Sequence, residues 1–585
     1  MSKYKGALEL NWINKDKSLL YEIDEEEDVG IKPVWVEKDD IRVSEPRVLK
    51  LKDEYGDPEN ENMLIKGDNL LALRTLTEKF KNRDEKDKVK CIYIDPPFNT
   101  NQAFENYDDN LETSQWLTMM RDRLILLRQL LRKDGVIFVH LDYNQVAHCK
   151  VLLDEIFGPS SFINIISWQR APEGRTVLGQ GSSKIVTCTE YILIYKINSE
   201  MEALNKTSKK LDATEKILEQ YRLFIQRYSR PKKIKEITDS SGNLVEFFTY
   251  DKSEIISIPK NKKDEDKLLL NNYNKLCQSV GIQKESTFQQ RILSEIPNPN
   301  EITLVRYKPM KGKHSGKIIE SIYWNGRKII FAKDYSLKIG NRLYRKSDMN
   351  NFWTHEEIPV TGIIKEGNVT FKRGKKPEKL LRRIIEMATE PDDLVFDSFL
   401  GSGTTAAVAH KMGRRWIGIE IGKHAGTHCL PRLKRVISGE DQTGISKDLN
   451  WKGSGGFRYY EVGESIIKEL DMNWNMTLEE MSKAVFMNFD YSLNKENTFC
   501  LEDCEDKFYI GKQKGGIAIC LVTKGTRIIR RAELNKLIKD ISKKYPNQKV
   551  TIFTNMGVAV KPEELSDKLD VKKIPESILR KYRMV

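Results

Sequence analysis

Long apolar runs are absent from this 585-residue sequence. The most apolar stretches, such as Leu124–Leu131 and Val136–Leu141, are short and broken by charge, well under the roughly 20 residues that cross a bilayer. The opening MSKYKGALELNWINKDK has neither an apolar core nor a small-residue cleavage site, so no signal peptide is expected. Those absences point to a cytoplasmic protein without a membrane anchor. Cysteine is sparse, with 8 residues scattered along the chain, which excludes a disulfide scaffold. The 7 histidines add no ligand spacing, so no structural metal site is expected. There is no Walker A loop, no recognisable motor or nuclease motif and no internal repeat.

What is present is an ordinary globular composition, 39% hydrophobic and 31% charged. At this length several domains are expected. The net charge is +13, and its placement is informative. Residues 201–350 hold 30 Lys+Arg against 18 Asp+Glu, a net +12, leaving about +1 for the rest. A concentrated basic segment suggests a polyanionic partner.

Residues 1–60 are polar, with an acidic run at Glu22–Asp28, and read as an N-terminal arm or wrapping segment. From 61 to 197, short β-branched runs (Ile92–Ile94, Val136–Leu141, Phe162–Trp168, Tyr191–Tyr195) alternate with helical stretches (Gln115–Leu131, Gln145–Ile156). That alternation predicts an α/β fold with a parallel sheet. The pattern weakens over 198–350, where a helical piece at Leu211–Arg227 and turn-punctuated strands at Gly316–Asp334 suggest an inserted domain. The α/β signature returns within 351–465, with helices at Pro377–Ala388 and Thr404–Met412 and strands at Leu394–Phe399 and Arg415–Glu420. Residues 466–585 read as a small α/β or α+β domain, with strands at Gly515–Thr523 and Lys549–Thr554 and a helix at Arg531–Lys544.

Two motifs carry chemistry. In the first, a buried strand runs into Asp95-Pro96-Pro97-Phe98. Strand carboxyl ends are where open α/β sheets bind ligands. Two prolines fix the backbone and remove two N–H donors, so the turn presents carbonyls. With the Asp95 carboxylate and the flat Phe98 ring, this suits a base carrying an exocyclic amine. In the second motif, Phe399-Leu-Gly401-Ser-Gly403-Thr404-Thr405-Ala406 lies between a strand and a helix. That is the setting in which glycines at this spacing approach a nucleotide cofactor. Glu420, at the end of the next strand, is placed to accept from ribose hydroxyls. The glycine motif alone does not separate NAD from S-adenosylmethionine.

Together, in this order, the motifs resemble those of the amino-methylating DNA methyltransferases, and among them the modification (Mod) subunits of type III restriction–modification systems. Asp95–Phe98 matches the family's D/N/S-PP-Y/F motif, with Phe98 where tyrosine is common, and Phe399–Gly403 matches FxGxG. The catalytic motif first and the cofactor motif second, with an insert between, is the order of the permuted β class. Gly374-Lys375-Lys376-Pro377 resembles a further family motif at the methionine end of the cofactor, and Gly67-Asp68-Asn69-Leu70 one near its adenine. Leu8–Ile13 and Gly455–Tyr460 resemble segments of the Mod group. Resemblance covers roughly 1–195 and 350–465.

The resemblance implies a Rossmann-like, circularly permuted class I methyltransferase sheet. Its two halves would be 61–197 and 351–465, with a target-recognition domain at 198–350. It implies S-adenosyl-L-methionine as cofactor, bound by Asp68, Lys376, Pro377, Asp397, Phe399, Gly401, Gly403, Thr404, Thr405 and Glu420. It implies catalysis at Asp95, Pro96, Pro97 and Phe98 on the N6 amine of a flipped adenine in double-stranded DNA. It also implies a homodimer and a Res subunit carrying the ATP-driven motor and nuclease. Methylation itself needs no metal, and C5-methylation of cytosine is excluded because no cysteine lies within 95–100. N4-cytosine methylation, for which the family often has serine in place of Asp95, an RNA substrate and a non-catalytic DNA-binding scaffold are the alternatives. Several further residues are read as structure: His140 and Asp142 as a hydrogen-bonded framework, with catalysis the alternative, Trp168 and Arg170 as strand-end residues, with base-pocket lining the alternative, and His424, His428, Trp353 and His355 as packing.

Overall fold

The computed structural model describes all residues except 1–7, 25–29, 98–112, 172–186, 206–207, 213, 228, 240, 259–264, 283–286, 310–315, 372–373, 469, 501–506, 526, 560–568 and 583–585. The chain divides into two compact units, residues 1–206 with 351–585, and Thr207–Asn350. Among the described residues no helix is long and apolar enough to cross a membrane.

The first unit is organised by a ten-stranded sheet. Its strands in chain order are β1 (Leu49–Gly56), β2 (Met63–Lys66), β3 (Val89–Ile94), β4 (Leu131–Leu141), β5 (Phe162–Gln169), β6 (Thr189–Lys196), β7 (Phe352–Trp353), β8 (Leu394–Asp397), β9 (Arg415–Glu420) and β10 (Gly456–Val462). Across the sheet the order is β7-β5-β6-β4-β3-β8-β9-β2-β10-β1. From β4 to β10 every pairing is parallel. Strands β3 and β8 are fully buried, as expected of central parallel strands covered on both faces.

Helices α1 (Asn69–Phe80), α2 (Thr113–Leu130), α3 (Val146–Phe157), α4 (Glu378–Ala388), α5 (Thr404–Lys411) and α6 (Leu430–Ser438) accompany the strands. One core joins Leu70, Leu73 and Leu76 of α1, Trp116, Met120, Leu124 and Leu127 of α2, and strand residues Ile92, Ile94, Val139, Phe396 and Ile419. Helix α4 buries Leu380, Leu381, Ile384, Ile385 and Ala388, a helix-period stripe. The consequence for function is the β3–β8 pairing, with Phe396 opposite Ile92. It sets the ends of the two motif-bearing strands side by side, although the motifs are distant in sequence.

Three expectations need correction. The sheet is mixed, because β6 runs antiparallel to both β4 and β5. Alternating strands and helices suggest parallel pairing, but the β5–β6 connection carries no helix among its described residues. The first 60 residues are not only an arm: Lys17–Asp24 and Gly30–Glu37 form a hairpin, and β1 is an edge strand of the main sheet, paired with β10. Leu211–Arg227 is not one helix but strand Ser208–Asp212, helix Thr214–Gln220 and strand Leu223–Arg227. Leu223–Arg227 finds strand partners on both sides, in Ser253–Ser257 and Leu276–Val280, and this pairing overrides the local helical period.

The second unit is an eight-stranded sheet whose described pairings are all antiparallel, with a separate three-stranded sheet. The hairpin Ile319–Trp324/Arg327–Phe331 turns at Asn325-Gly326, both with positive φ, the arrangement a two-residue turn requires. In the first unit, the C-terminal segment has its own five-stranded sheet. Helix Arg531–Lys544 connects its parallel strands Gly516–Leu521 and Lys549–Thr554.

Candidate active site

The turn after β3 is rigid for identifiable reasons. Pro96 is buried, and the indole Nε1 of Trp116 on α2 donates to the Pro97 carbonyl at 2.7 Å. Asp95 heads this turn. Its Oδ2 lies 2.9 Å from Lys376 Nζ. Its Oδ1 is buried and has no hydrogen-bond partner among the described residues. Leaving such an oxygen unsatisfied costs on the order of 1–3 kcal/mol, so Oδ1 is a prepared acceptor. Phe98, the fourth residue of the motif, lies outside the described residues.

Behind Asp95 stands a chain of polar groups in an apolar setting. Lys376 Nζ is also 3.3 Å from Glu190 Oε2. The other oxygen of Glu190 accepts from Arg170 at 2.7 Å, and His140 Nε2 lies 2.9 Å from Oε2. Burial alone would raise the Glu190 carboxyl, but Lys376, His140 and Arg170 outweigh it and hold the group well below the usual range. Burial, then Lys376, lowers the His140 imidazole. Burial, then Asp95, keeps the Tyr93 phenol protonated far above its ordinary range. The protonated Tyr93 hydroxyl and His140 Nδ1 are hydrogen-bonded at 2.8 Å.

The neighbouring strand end builds a different cradle. Asp397, the last residue of β8, accepts from the Phe399 amide at 2.9 Å and from the Thr405 hydroxyl at 2.6 Å. Burial raises its carboxyl to about 7, reinforced by Asp95 and Glu420 and opposed by those two hydrogen bonds. Gly401 and Gly403 both have positive φ, +57° and +80°. A Cβ on Gly403 would stand 3.3 Å from Cys429 Cα, whereas one on Gly401 would meet nothing within 4 Å. The turn is thus closed beneath Gly403 and open above Gly401. Glu420 at the end of β9 is buried and accepts from the Gly401 amide at 2.6 Å and the Gly422 amide at 3.0 Å. The buried Ser398 Oγ beside this turn has no partner among the described residues. These features suit an adenosyl cofactor.

Other expected residues fall around the cradle. Asp68 caps α1 through the Leu70 amide at 2.7 Å and pairs with Arg123 at 3.0 Å. Its neighbour Asn69 donates to the Ser398 carbonyl at 2.7 Å, tying α1 to the glycine turn. Pro377 opens α4. Thr404 opens α5 and accepts from Arg432 at 2.8 Å. Phe399 is partly buried against the sheet core. Lys376, expected beside the cofactor, reaches Asp95 at the adjoining strand end. Asp142 caps a turn through the Asn144 and Gln145 amides. The Trp168 ring meets His140 edge-on, Trp353 packs under Arg383, and His355 contacts the Arg170 carbonyl. His424 and His428 pack against Phe371.

Sequence reasoning missed Glu190, Tyr93, Trp116 and Arg123. It also missed a fully buried charge cluster below the glycine turn. There Glu378 receives Lys411 at 2.9 Å and Arg432 at 2.8 Å, and Lys411 reaches Asp441 at 2.7 Å. Glu190 had a usable signal, a carboxylate inside the apolar strand TEYILIYK.

The DNA methylase family matches residues 89–427. The chain is 36% identical over 472 residues to a probable type III restriction-modification HindVI Mod subunit of Haemophilus influenzae, covering 76% of this chain and 60% of that protein. It is 29% identical over 381 residues to the type II methyltransferase M.EcaI of Enterobacter cloacae, covering 64% and 69%. It is 25% identical over 421 residues to the EcoP15I Mod subunit of Escherichia coli, covering 63% and 60%. The chain therefore spans 60% of the length of both Mod relatives. With the family's match running from the Asp95 strand through the glycine turn and over more than half of the sequence, the chain belongs to the DNA methylase family.

Proposed function

We propose that this protein is a site-specific DNA methyltransferase acting on the N6 amine of adenine, the modification subunit of a type III restriction–modification system. The observation that carries the reaction is the buried Oδ1 of Asp95, without a hydrogen-bond partner among the described residues, at a proline-fixed strand end next to the glycine turn on β8. The likeness to proteins named as Mod subunits supports the type III assignment.

An adenine amine is a poor nucleophile because its lone pair is delocalised into the ring. Asp95 Oδ1 and the Pro96 carbonyl accept its two hydrogens and favour a pyramidal nitrogen with a localised pair. When bound, S-adenosyl-L-methionine supplies the electrophilic sulfonium methyl group. Lys376 anchors Oδ2 so that Oδ1 faces the amine, and the carboxylate stabilises positive charge developing on nitrogen, an acceptor analogue of an oxyanion hole. Asp397, Thr405, Glu420 and the Gly401 turn hold the cofactor, with Asp68 and Pro377 at its margins. The target base must leave the duplex, at a cost of a few kcal/mol, and stacking on Phe98 offsets roughly 1–3 kcal/mol of it. Thr207–Asn350 reads the target sequence. A homodimer joined by a Res subunit completes the cytoplasmic assembly.

The test is methyl transfer from labelled cofactor to duplex DNA, without ATP or magnesium, followed by nucleoside analysis. N6-methyladenine is the expected product. N4-methylcytosine, or no transfer to duplex DNA, would overturn the reading.

A further inference from the structure

A near-zero average charge outside the basic insert conceals a second concentration. Residues 507–549 carry 12 Lys+Arg against 2 Asp+Glu, a net +10. The fold of the C-terminal domain arranges these cations. Helix Arg531–Lys544 buries Leu534, Leu537 and Ile541 against its sheet. Lys536, Lys539 and Lys543 each follow one of those residues by two positions, about 200° around a helix. They form an exposed stripe facing directly away from the sheet. Seven residues along a helix is about 10 Å.

The stripe continues at the helix end. Lys544, Lys549 and the Lys512–Gly515 turn are exposed there. Lys512 Nζ sits 4.9 Å from the Tyr545 ring centroid, and the Lys549 amide donates to the Gly515 carbonyl at 3.3 Å. Of the two acids in the segment, Glu533 is engaged by Arg527 and by the Arg530 amide. Asp540 alone lies exposed on the helix. Complementing the helix dipole accounts for cations in the last turn only, not for Lys536 and Lys539.

We infer that this surface holds the phosphate backbone of duplex DNA, as a sequence-independent contact separate from Thr207–Asn350. The inference rests on DNA being the substrate, as proposed above. A protein partner is disfavoured by composition. Protein interfaces are built around apolar and aromatic cores and are depleted in lysine, whereas this segment shows Ile528 as its one exposed large hydrophobic among the described residues. Lysines without an apolar centre suit phosphates, which position DNA without reading it.

The test compares full-length wild type with K514Q/K536Q/K539Q/K543Q, and with a variant carrying arginine at the same four positions. Binding to duplexes with and without the target sequence is measured across a salt series. Each neutralised phosphate contributes about 0.9 to the slope of log Kobs against log salt. The glutamine variant should lose about 2–4 from that slope on both duplexes, with S-adenosylmethionine affinity and the methylated base unchanged, and the arginine variant should keep the wild-type slope. A wild-type slope in the folded glutamine variant would overturn the inference, as would loss of binding to an acidic partner subunit with DNA binding intact. Wild type that binds no duplex at any salt would instead overturn the DNA-substrate reading on which the inference stands.

Discussion

Asp397 shows how one buried residue couples the site to pH. In the unfolded chain its carboxyl titrates near about 3.9, and in the folded protein at about 7, because of burial. Between those values the native state binds more protons. The stability this carboxyl contributes is fully present below about pH 4 and is lost as pH rises to about 7. Glu366, pushed to about 7 by burial and by the nearby Glu378, acts in the same direction. Asp397→Asn should therefore flatten, without abolishing, the fall in stability between pH 4 and 7 followed by thermal melting. An unchanged slope would contradict the ionisation assigned to Asp397. Glu190 is argued to act through Lys376 and is a positioning residue. Glu190→Gln should lower kcat by about tenfold or more, within the range by which positioning errors slow enzymes, while cofactor affinity stays as in wild type. A parallel loss of both would make Glu190 merely structural.

Among the elements, the glycine turn depends on what lies below it. Arg432 on α6 donates to the Ser402 carbonyl at 3.2 Å and to Thr404 at 2.8 Å, and its other nitrogen meets Glu378 at 2.8 Å. Removing one member of a fully buried ion pair typically costs about 3–5 kcal/mol. Arg432→Ala should destabilise the protein by about that amount in denaturant unfolding and weaken S-adenosylmethionine binding, because the turn loses its support. Gly403→Ala should weaken binding too, since alanine disfavours its left-handed φ and the new methyl group presses on Cys429. The strands and helices near both motifs could be read from the sequence because their apolar periods are strong and their turns carry proline or glycine. The Glu378–Lys411–Asp441–Arg432 cluster could not, since lysine, arginine and carboxylates look like surface residues until long-range packing buries them. The reversed direction of β6 and the strands around Thr214–Gln220 escaped for a related reason: both are set by partners distant in sequence.

For the molecule as a whole, the two motifs are distant in sequence, and the parallel pairing of β3 with β8 brings the strands that carry them side by side. What the sequence did not reveal was Lys376 joining the halves, since only the folded chain brings residues from either side of the insert within 2.9 Å. Charge placement was half readable. The basic insert was visible as a block, whereas the C-terminal lysines acquire meaning only from the helix face they occupy. In Thr207–Asn350, replacing exposed cations such as Lys317 and Arg327 with glutamine should weaken DNA binding and reduce its salt slope by about 0.9 for each phosphate that is no longer neutralised. Cofactor affinity should not change. An unaltered slope would make that charge a solvated surface.

The most direct measurement is methyl transfer by Asp95→Ala beside cofactor binding by the same protein. If Oδ1 of Asp95 is the acceptor that activates the amine, transfer to duplex DNA falls by at least about 100-fold, the scale of losing one preorganised hydrogen-bonding group, while S-adenosylmethionine binds as in wild type. Transfer at the wild-type rate would contradict the central role given to Asp95.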